Sequence, residues 1–150
     1  NRGTGWFVPC DPTYRRWTTK ALEEARATLT GTGGRLVVTT APISLASYAA
    51  GSIDQSTCQN ATIRRYAAAH PGVGLVDLER FICRRGPTRC LTRFDGVLLR
   101  PDGLHYRHES ARLVARWITR EMGRIGMMGP ALRAGSSGTT GAVGPTGPAD

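Results

Sequence analysis

Two residues in the last third of the chain have types and a spacing that could do chemistry: Asp102 and His105, within Arg100-Pro101-Asp102-Gly103-Leu104-His105-Tyr106. An Asp three residues before a His, on a loop entering a helix, can fold its carboxylate back onto the imidazole. There it accepts a hydrogen bond from one ring nitrogen, which fixes the tautomer and supports positive charge on the ring. The other nitrogen is left to take a proton from a serine hydroxyl, the base-and-orienter arrangement of nucleophilic catalysis. Gly103 supplies the backbone freedom that so tight a return requires. By itself the spacing is a weak signal, because a capping Asp and a surface His beside a helix start read the same way.

Other polar residues have simpler readings. His70 precedes Pro71-Gly72 and is expected to cap a helix C-terminus. His108 is expected to be solvated in the first turn of the last helix, with a place at the rim of a site as the alternative. Asp77 is expected to cap or anchor a strand end, with contact to substrate as the alternative. Trp6, Trp17 and Trp117 are expected in the core. The four cysteines, Cys10, Cys58, Cys83 and Cys90, show no CxxC spacing, so no structural metal is expected. They permit three pairings. The short Cys83–Cys90 loop, holding Gly86 and Pro87, is the easiest to close and leaves Cys10 with Cys58. Two disulfides would imply an oxidising compartment; four reduced thiols in a cytoplasmic protein are the alternative.

The elements that must position these residues follow from punctuation and periodicity. Asp11-Pro12 reads as an N-cap followed by proline at the first helical position. Tyr14, Trp17, Ala21, Leu22, Ala25 and Leu29 recur at helical spacing, which predicts an amphipathic helix over 12–30, stopped by Gly31, Gly33 and Gly34. Residues 35–40 form a short β-branched run, a buried strand by length. Residues 42–57 are ambiguous, with a short helical piece around 44–50. A helix over 55–69 follows, then a strand over 73–78 with Asp77 near its carboxyl end. Residues 81–99 read as a loop, and 106–122 as a final helix burying Leu113, Val114, Trp117 and Ile118. Helix, strand, helix, strand, loop, helix is the second half of an open α/β sandwich with parallel strands. Two strands do not make a stable sheet alone, so the remaining strands are expected upstream of Asn1. The opening ten residues read as a loop with an aromatic plug at Trp6 and Phe7.

Beyond about residue 128 the character changes. Gly135, Gly138, Gly141, Gly144 and Gly147 fall at a period of three, yet few prolines accompany them. Residues 129–150 therefore read as a disordered Gly/Pro/Ser/Thr-rich tail rather than a collagen-like tract, and 1–128 as the globular part. No charged n-region followed by an apolar run opens the sequence, and Asn1 is not a start methionine, so a piece of a longer protein is expected.

At 150 residues with 40% hydrophobic and 21% charged content, the composition is that of a folded domain. The net charge of +9 invites a nucleic-acid reading, but of the 20 basic residues Lys20 alone is lysine, and the arginines are spread over helices and loops alike. A nucleic-acid partner is not expected. An anionic envelope polymer is the better candidate, because Arg84, Arg85, Arg89 and Arg93 crowd one loop.

The stretch Asp95-Gly96-Val97-Leu98-Leu99-Arg100-Pro101-Asp102-Gly103-Leu104-His105-Tyr106, with the helix Ala111-Arg112-Leu113-Val114-Ala115-Arg116-Trp117, resembles the final block of the SGNH (GDSL-like) hydrolase superfamily. In that family Asp-x-x-His stands just before the C-terminal helix. Upstream, Arg35-Leu36-Val37-Val38-Thr39-Thr40-Ala41-Pro42 looks like a late sheet strand ending in proline. His70-Pro71-Gly72-Val73-Gly74-Leu75-Val76-Asp77-Leu78 looks like the strand that follows, and Cys83 with Cys90 resembles a pair seen before the final block. The pattern, over roughly residues 4–122, is most similar to the extracytoplasmic SGNH domains attached to membrane acyltransferases that O-acylate cell-envelope glycans.

The resemblance implies the C-terminal half of a three-layer α/β/α (flavodoxin-like) sandwich. It implies His105 as general base and then general acid, Asp102 as its orienter, and chemistry needing neither metal nor organic cofactor. It further implies ester hydrolysis or O-acyl transfer on an acylated carbohydrate or glycan, an upstream membrane acyltransferase domain as a possible partner, and a bacterial protein acting outside the cytoplasm. The chain departs from the family in having no Gly-Asp-Ser, no Gly-x-Asn-Asp and no Gly-x-Ser-x-Gly. Gly51-Ser52 and Gly135-Ser136 do not stand where a nucleophile follows a first strand. The chain alone is thus expected to be inactive, and the intact protein active. A non-catalytic glycan-binding module of the same fold is the competing expectation.

Overall fold

The computed structural model describes residues 8–44, 52–86 and 89–128, with the backbone alone at 52–54. The expected aromatic plug at Trp6 and Phe7, the helical piece around 44–50 (beyond Ser44) and the Gly-rich tail lie outside the described residues.

Helix α1, Pro12–Gly31, starts where the sequence places it: the Asp11 carboxylate accepts from the Thr13 amide at 2.6 Å and Pro12 takes the first turn. It ends in a turn that closes on Leu29, with Gly33 at φ +78°, a conformation that favours glycine. Strand β1, Val37–Thr39, helix α2, Ser52–Ala69, and strand β2, Gly74–Val76, follow. The strands pair in parallel, Val37 opposite Gly74, Val38 opposite Leu75 and Thr39 opposite Val76. Parallel strands need a crossover, and α2 provides it. Both strands are shorter than the six-residue runs expected over 35–40 and 73–78. Past the Thr40 amide, which still donates to the Val76 carbonyl at 3.3 Å, the backbone after β1 turns to a side-chain partner, and β2 runs into the capped helix turn at Asp77. Asn60 of α2, fully buried, accepts from the Ala41 amide and donates to the Ala41 carbonyl, at 3.0 and 2.8 Å.

The stretch 81–99, expected to be a loop, contains regular structure. A short helix α3, Leu78–Ile82, is capped by Asp77, and a tight hairpin joins β3, Arg93–Phe94, to β4, Val97–Leu98. Asp95 and Gly96 at φ +49° and +79° form its two-residue turn, the backbone that matches the twist of antiparallel strands. Helix α4, His108–Arg124, closes the described chain. Among the described residues the architecture is mixed α/β, with four helices and a small parallel sheet.

Two apolar clusters hold it together. Leu36, Val38, Tyr66, Ala67 and Val73 gather α1, α2 and the parallel pair, with Leu22 and Ile63 packed against them. Leu78, Phe81, Ile82, Leu99, Leu113 and Val114 gather α3, the hairpin and α4. Trp117 joins this second cluster as expected, stacked on Phe81 with ring centroids 4.2 Å apart. Trp17 does not enter a core: it is 64% exposed and touches Tyr14 at 5.8 Å between centroids. Helix α1 instead packs through Thr18, Leu22 and Ala25, so the aromatic stripe one face over is left outside.

Both disulfides join the expected partners, Cys10 to Cys58 across 48 residues and Cys83 to Cys90 across seven. The first ties the start of α1 to α2; the second closes the segment between α3 and the hairpin. Two such bonds fit an oxidising, extracytoplasmic environment. Among the described residues no helix is long and apolar enough to cross a membrane.

Candidate functional site

The turn that carries Asp102 and His105 is built by local rules. Pro101 fixes the backbone after Arg100, the Gly103 amide donates to the Arg100 carbonyl at 2.9 Å, and Gly103 sits at φ +76°. The chain thereby doubles back over the Asp102 side chain. One carboxylate oxygen of Asp102 accepts from the Leu104 and His105 amides at 3.0 and 2.7 Å. The other faces His105 Nδ1 at 2.8 Å and accepts from the Arg107 guanidinium at 3.0 Å. The His105 amide, then its imidazole, then the Leu104 amide hold the Asp102 carboxyl well below the usual carboxylate range.

A carboxylate on Nδ1 keeps the proton on that nitrogen and leaves Nε2 to accept one. The His105 side chain is 60% exposed, and among the described residues Nε2 has no partner. The arrangement can present an oriented imidazole nitrogen to a group brought from outside. It supplies neither a nucleophile nor an oxyanion hole.

Helix α4 begins directly after this turn. Ser110, buried, accepts from the Arg107 amide and donates to the Arg107 carbonyl at 3.0 and 2.9 Å, anchoring the first turn. His108 is exposed, as expected, and lies at φ +48°, an uncommon backbone for a residue with a Cβ. Below the turn in sequence, Arg100 is only 7% exposed and donates to the Ile43 carbonyl at 2.6 Å. Its second terminal nitrogen and the Tyr106 hydroxyl are buried without hydrogen-bond partners among the described residues. Burial pushes the Arg100 guanidinium below its ordinary value and the Tyr106 hydroxyl above. Nothing in the spacing of Arg100, which follows the stretch read as a loop, announced its burial.

Asp77 caps and anchors, the simpler of its two expected roles. It accepts from the Thr40 hydroxyl at 2.8 Å, from the Arg64 guanidinium at 2.8 and 3.0 Å, and from the Arg80 amide at 3.1 Å. Burial pushes its carboxyl up, but Arg64, Thr40 and the Arg80 amide together hold it below the ordinary value. Arg64 also donates to buried Glu79 at 2.6 Å, and the Glu79 amide donates to Thr40 Oγ1 at 3.0 Å. This network joins both strand ends to α2 and α3, and sequence spacing offered no sign of it.

His70 caps the end of α2 and stands apart from the Asp102–His105 pair. Its Nδ1 lies 2.7 Å from the Tyr66 carbonyl, its Nε2 2.7 Å from a Glu23 carboxylate oxygen on α1, and its ring stacks on Tyr66. Among the described residues no group of His, Cys, Asp and Glu side chains is arranged to hold a metal. The described surface includes open grooves. One, of about 680 Å³, runs between α1 and α2; another, of about 400 Å³, lies between the Asp77 end of β2 and α4. Neither is lined by His105 or Asp102. No protein-family model, no curated protein and no solved structure matches the chain.

Proposed function

We propose that this chain carries the base and orienter of a Ser-His-Asp site that hydrolyses or transfers an acyl ester on a carbohydrate or cell-envelope glycan. The observation that supports it is the 2.8 Å contact between the Asp102 carboxylate and His105 Nδ1, made on a turn that leaves Nε2 exposed. In this reading His105 takes the proton from a serine hydroxyl as that oxygen attacks the ester carbonyl. It then returns the proton to the departing alcohol oxygen, while Asp102 stabilises the imidazolium between the two steps. Deacylation repeats the sequence with water or a sugar hydroxyl as acceptor. The serine and the oxyanion-hole donors come from polypeptide outside residues 1–150, in an SGNH-type three-layer sandwich of which the described sheet is the later part. The sequence resemblance at 95–117 and the βαβ unit support that placement. So do the two disulfides for a protein working outside the cytoplasm, secreted or tethered to the membrane of a bacterium.

A second reading is favoured by a specific observation, the absence of a Gly-Asp-Ser from the chain: a non-catalytic module of the same fold that only binds glycan. Hydrolysis of p-nitrophenyl acetate by the longest natural polypeptide containing this chain separates the two. His105→Ala is expected to lower kcat about 10³-fold or more with KM little changed. Equal turnover in wild type and variant, or none in either, removes His105 as a base and leaves the binding module.

A further inference from the structure

The groove between α1 and α2 is lined by Arg15, Arg16 and Lys20 from α1 and by Arg65 and Tyr66 from α2, with His70 just beyond the end of α2. No carboxylate lines it among the described residues. That is not a general property of these two helices. Arg26 is paired with Glu23 at 2.8 Å, and Arg64 is held by Asp77 and Glu79. The side chain of adjacent Arg65, turned to the groove, makes no hydrogen bond or ion pair among the described residues, and neither does that of Arg15. Arg16 donates only to the Thr13 hydroxyl of its own helix, and Lys20 meets Glu24 at 3.7 Å with both side chains largely in water. The helices thus hold Arg26 and Arg64 against close carboxylates, whereas Arg15, Arg16 and Arg65 at the groove have none among the described residues.

The geometry is fixed in advance. The Cys10–Cys58 disulfide links the residues just before α1 to α2, and His70 bridges from the end of α2 to Glu23. The walls therefore hold their spacing without a ligand, which reduces the ordering cost of binding one. The first turn of α1 contributes its positive dipole end and holds no acidic side chain of its own, although the Asp11 carboxylate caps it. From Arg15 to Lys20 the cations spread over about 7.5 Å of helix, and Arg65 adds a charge from the facing wall, an array that suits repeated charges along a chain better than one small anion.

We propose that the α1/α2 groove is a binding site for an anionic glycan, gripped through its carboxylate or phosphate groups by Arg15, Arg16, Lys20 and Arg65. That the groove takes anions stands on its geometry; that the anion belongs to a sugar polymer rests on the acyl-transfer reading and on the disulfides, which favour a compartment holding envelope polysaccharide over one holding nucleic acid. It relocates the polymer contact from the arginine-rich loop: Arg84 donates to the Phe81 carbonyl and covers the Phe81 ring, and Arg93 donates to the Gly96 carbonyl.

The test is equilibrium binding of the full chain to oligogalacturonate, phosphorylated dextran, neutral dextran and a single-stranded DNA oligomer of matched charge, read without any turnover. The wild type is expected to bind one or both charged glycans, more weakly as salt rises, and not the neutral one. Arg15→Gln with Arg65→Gln is expected to weaken binding roughly tenfold, and Arg16→Gln with Lys20→Gln, at exposed positions, by a similar factor. Arg84→Gln with Arg85→Gln is expected to leave it unchanged. Preference for one charged glycan identifies the anion as carboxylate or phosphate. Equal loss in the Arg84 and groove variants, or no binding of either charged glycan, overturns the site. Binding of the DNA as tightly as of either glycan overturns the assignment to a sugar polymer.

Discussion

The α1–β1–α2–β2 region and the α3–hairpin–α4 region are held together by different means. The first is assembled from contacts distant in sequence: a parallel strand pair 37 residues apart in register, Asn60 on Ala41, and a disulfide spanning 48 residues. The second is assembled largely from neighbours: a disulfide spanning seven residues, a two-residue hairpin turn, and an Asp–His contact three residues long. Each region carries a site of its own kind. The long-range region forms a groove, which needs two walls from different helices. The local region forms a catalytic-type pair, which needs one turn. A cleft requires tertiary assembly, whereas an oriented imidazole can be prepared by the chain within itself.

Removing each disulfide is the sharpest way to probe that difference. Chain entropy assigns about 4 kcal/mol to the Cys10–Cys58 closure and about 2.5 kcal/mol to Cys83–Cys90. The paired serine variants, compared by urea unfolding, are expected to differ in that order, and the reverse order would break the comparison. Ile82→Ala empties a fully buried position in the second cluster and is expected to cost about 3 kcal/mol in the same experiment.

Arg64→Met is expected to cost about 1–3 kcal/mol at pH 7, because it strands Asp77 and buried Glu79 while Arg64 itself is partly in water. The sign of its pH dependence follows from Asp77. A carboxyl held below its unfolded value adds stability above about pH 4, and that stability is lost as pH falls through the folded value. Urea midpoints at pH 7 and pH 3 should therefore converge in Arg64→Met relative to wild type. The smallest effect is expected from Gly103→Ala, about 1 kcal/mol from the φ of +76°. Its more telling readout is the NMR signature of the His105 ring, which should lose the Nδ1 hydrogen bond to Asp102 as the turn relaxes.

Much of this was legible beforehand, and what was legible was local. Helices α1, α2 and α4 announced themselves by caps, glycine stops and apolar spacing. Asp102 and His105 were readable because three residues and one glycine are enough to bring them together. Trp17 misled because α1 carries two apolar stripes, Tyr14-Trp17-Ala21 and Leu22-Ala25, and periodicity does not say which one faces a sheet. The hairpin was missed although Asp95-Gly96 is its signal, because two-residue strands are too short to show alternation.

What the sequence by itself determined was therefore each element and each contact closed within about one turn of chain: the capped helices, the doubled-back Asp102 carboxylate and the short disulfide loop. Tertiary structure alone decided that Arg64 is neutralised while Arg65 faces a groove, that Arg100 is buried against Ile43, and that Trp17 stays in water. The physical reason is that the environment of an arginine or an aromatic ring is set by which helix face meets the sheet, a choice made by the summed packing of residues tens of positions apart.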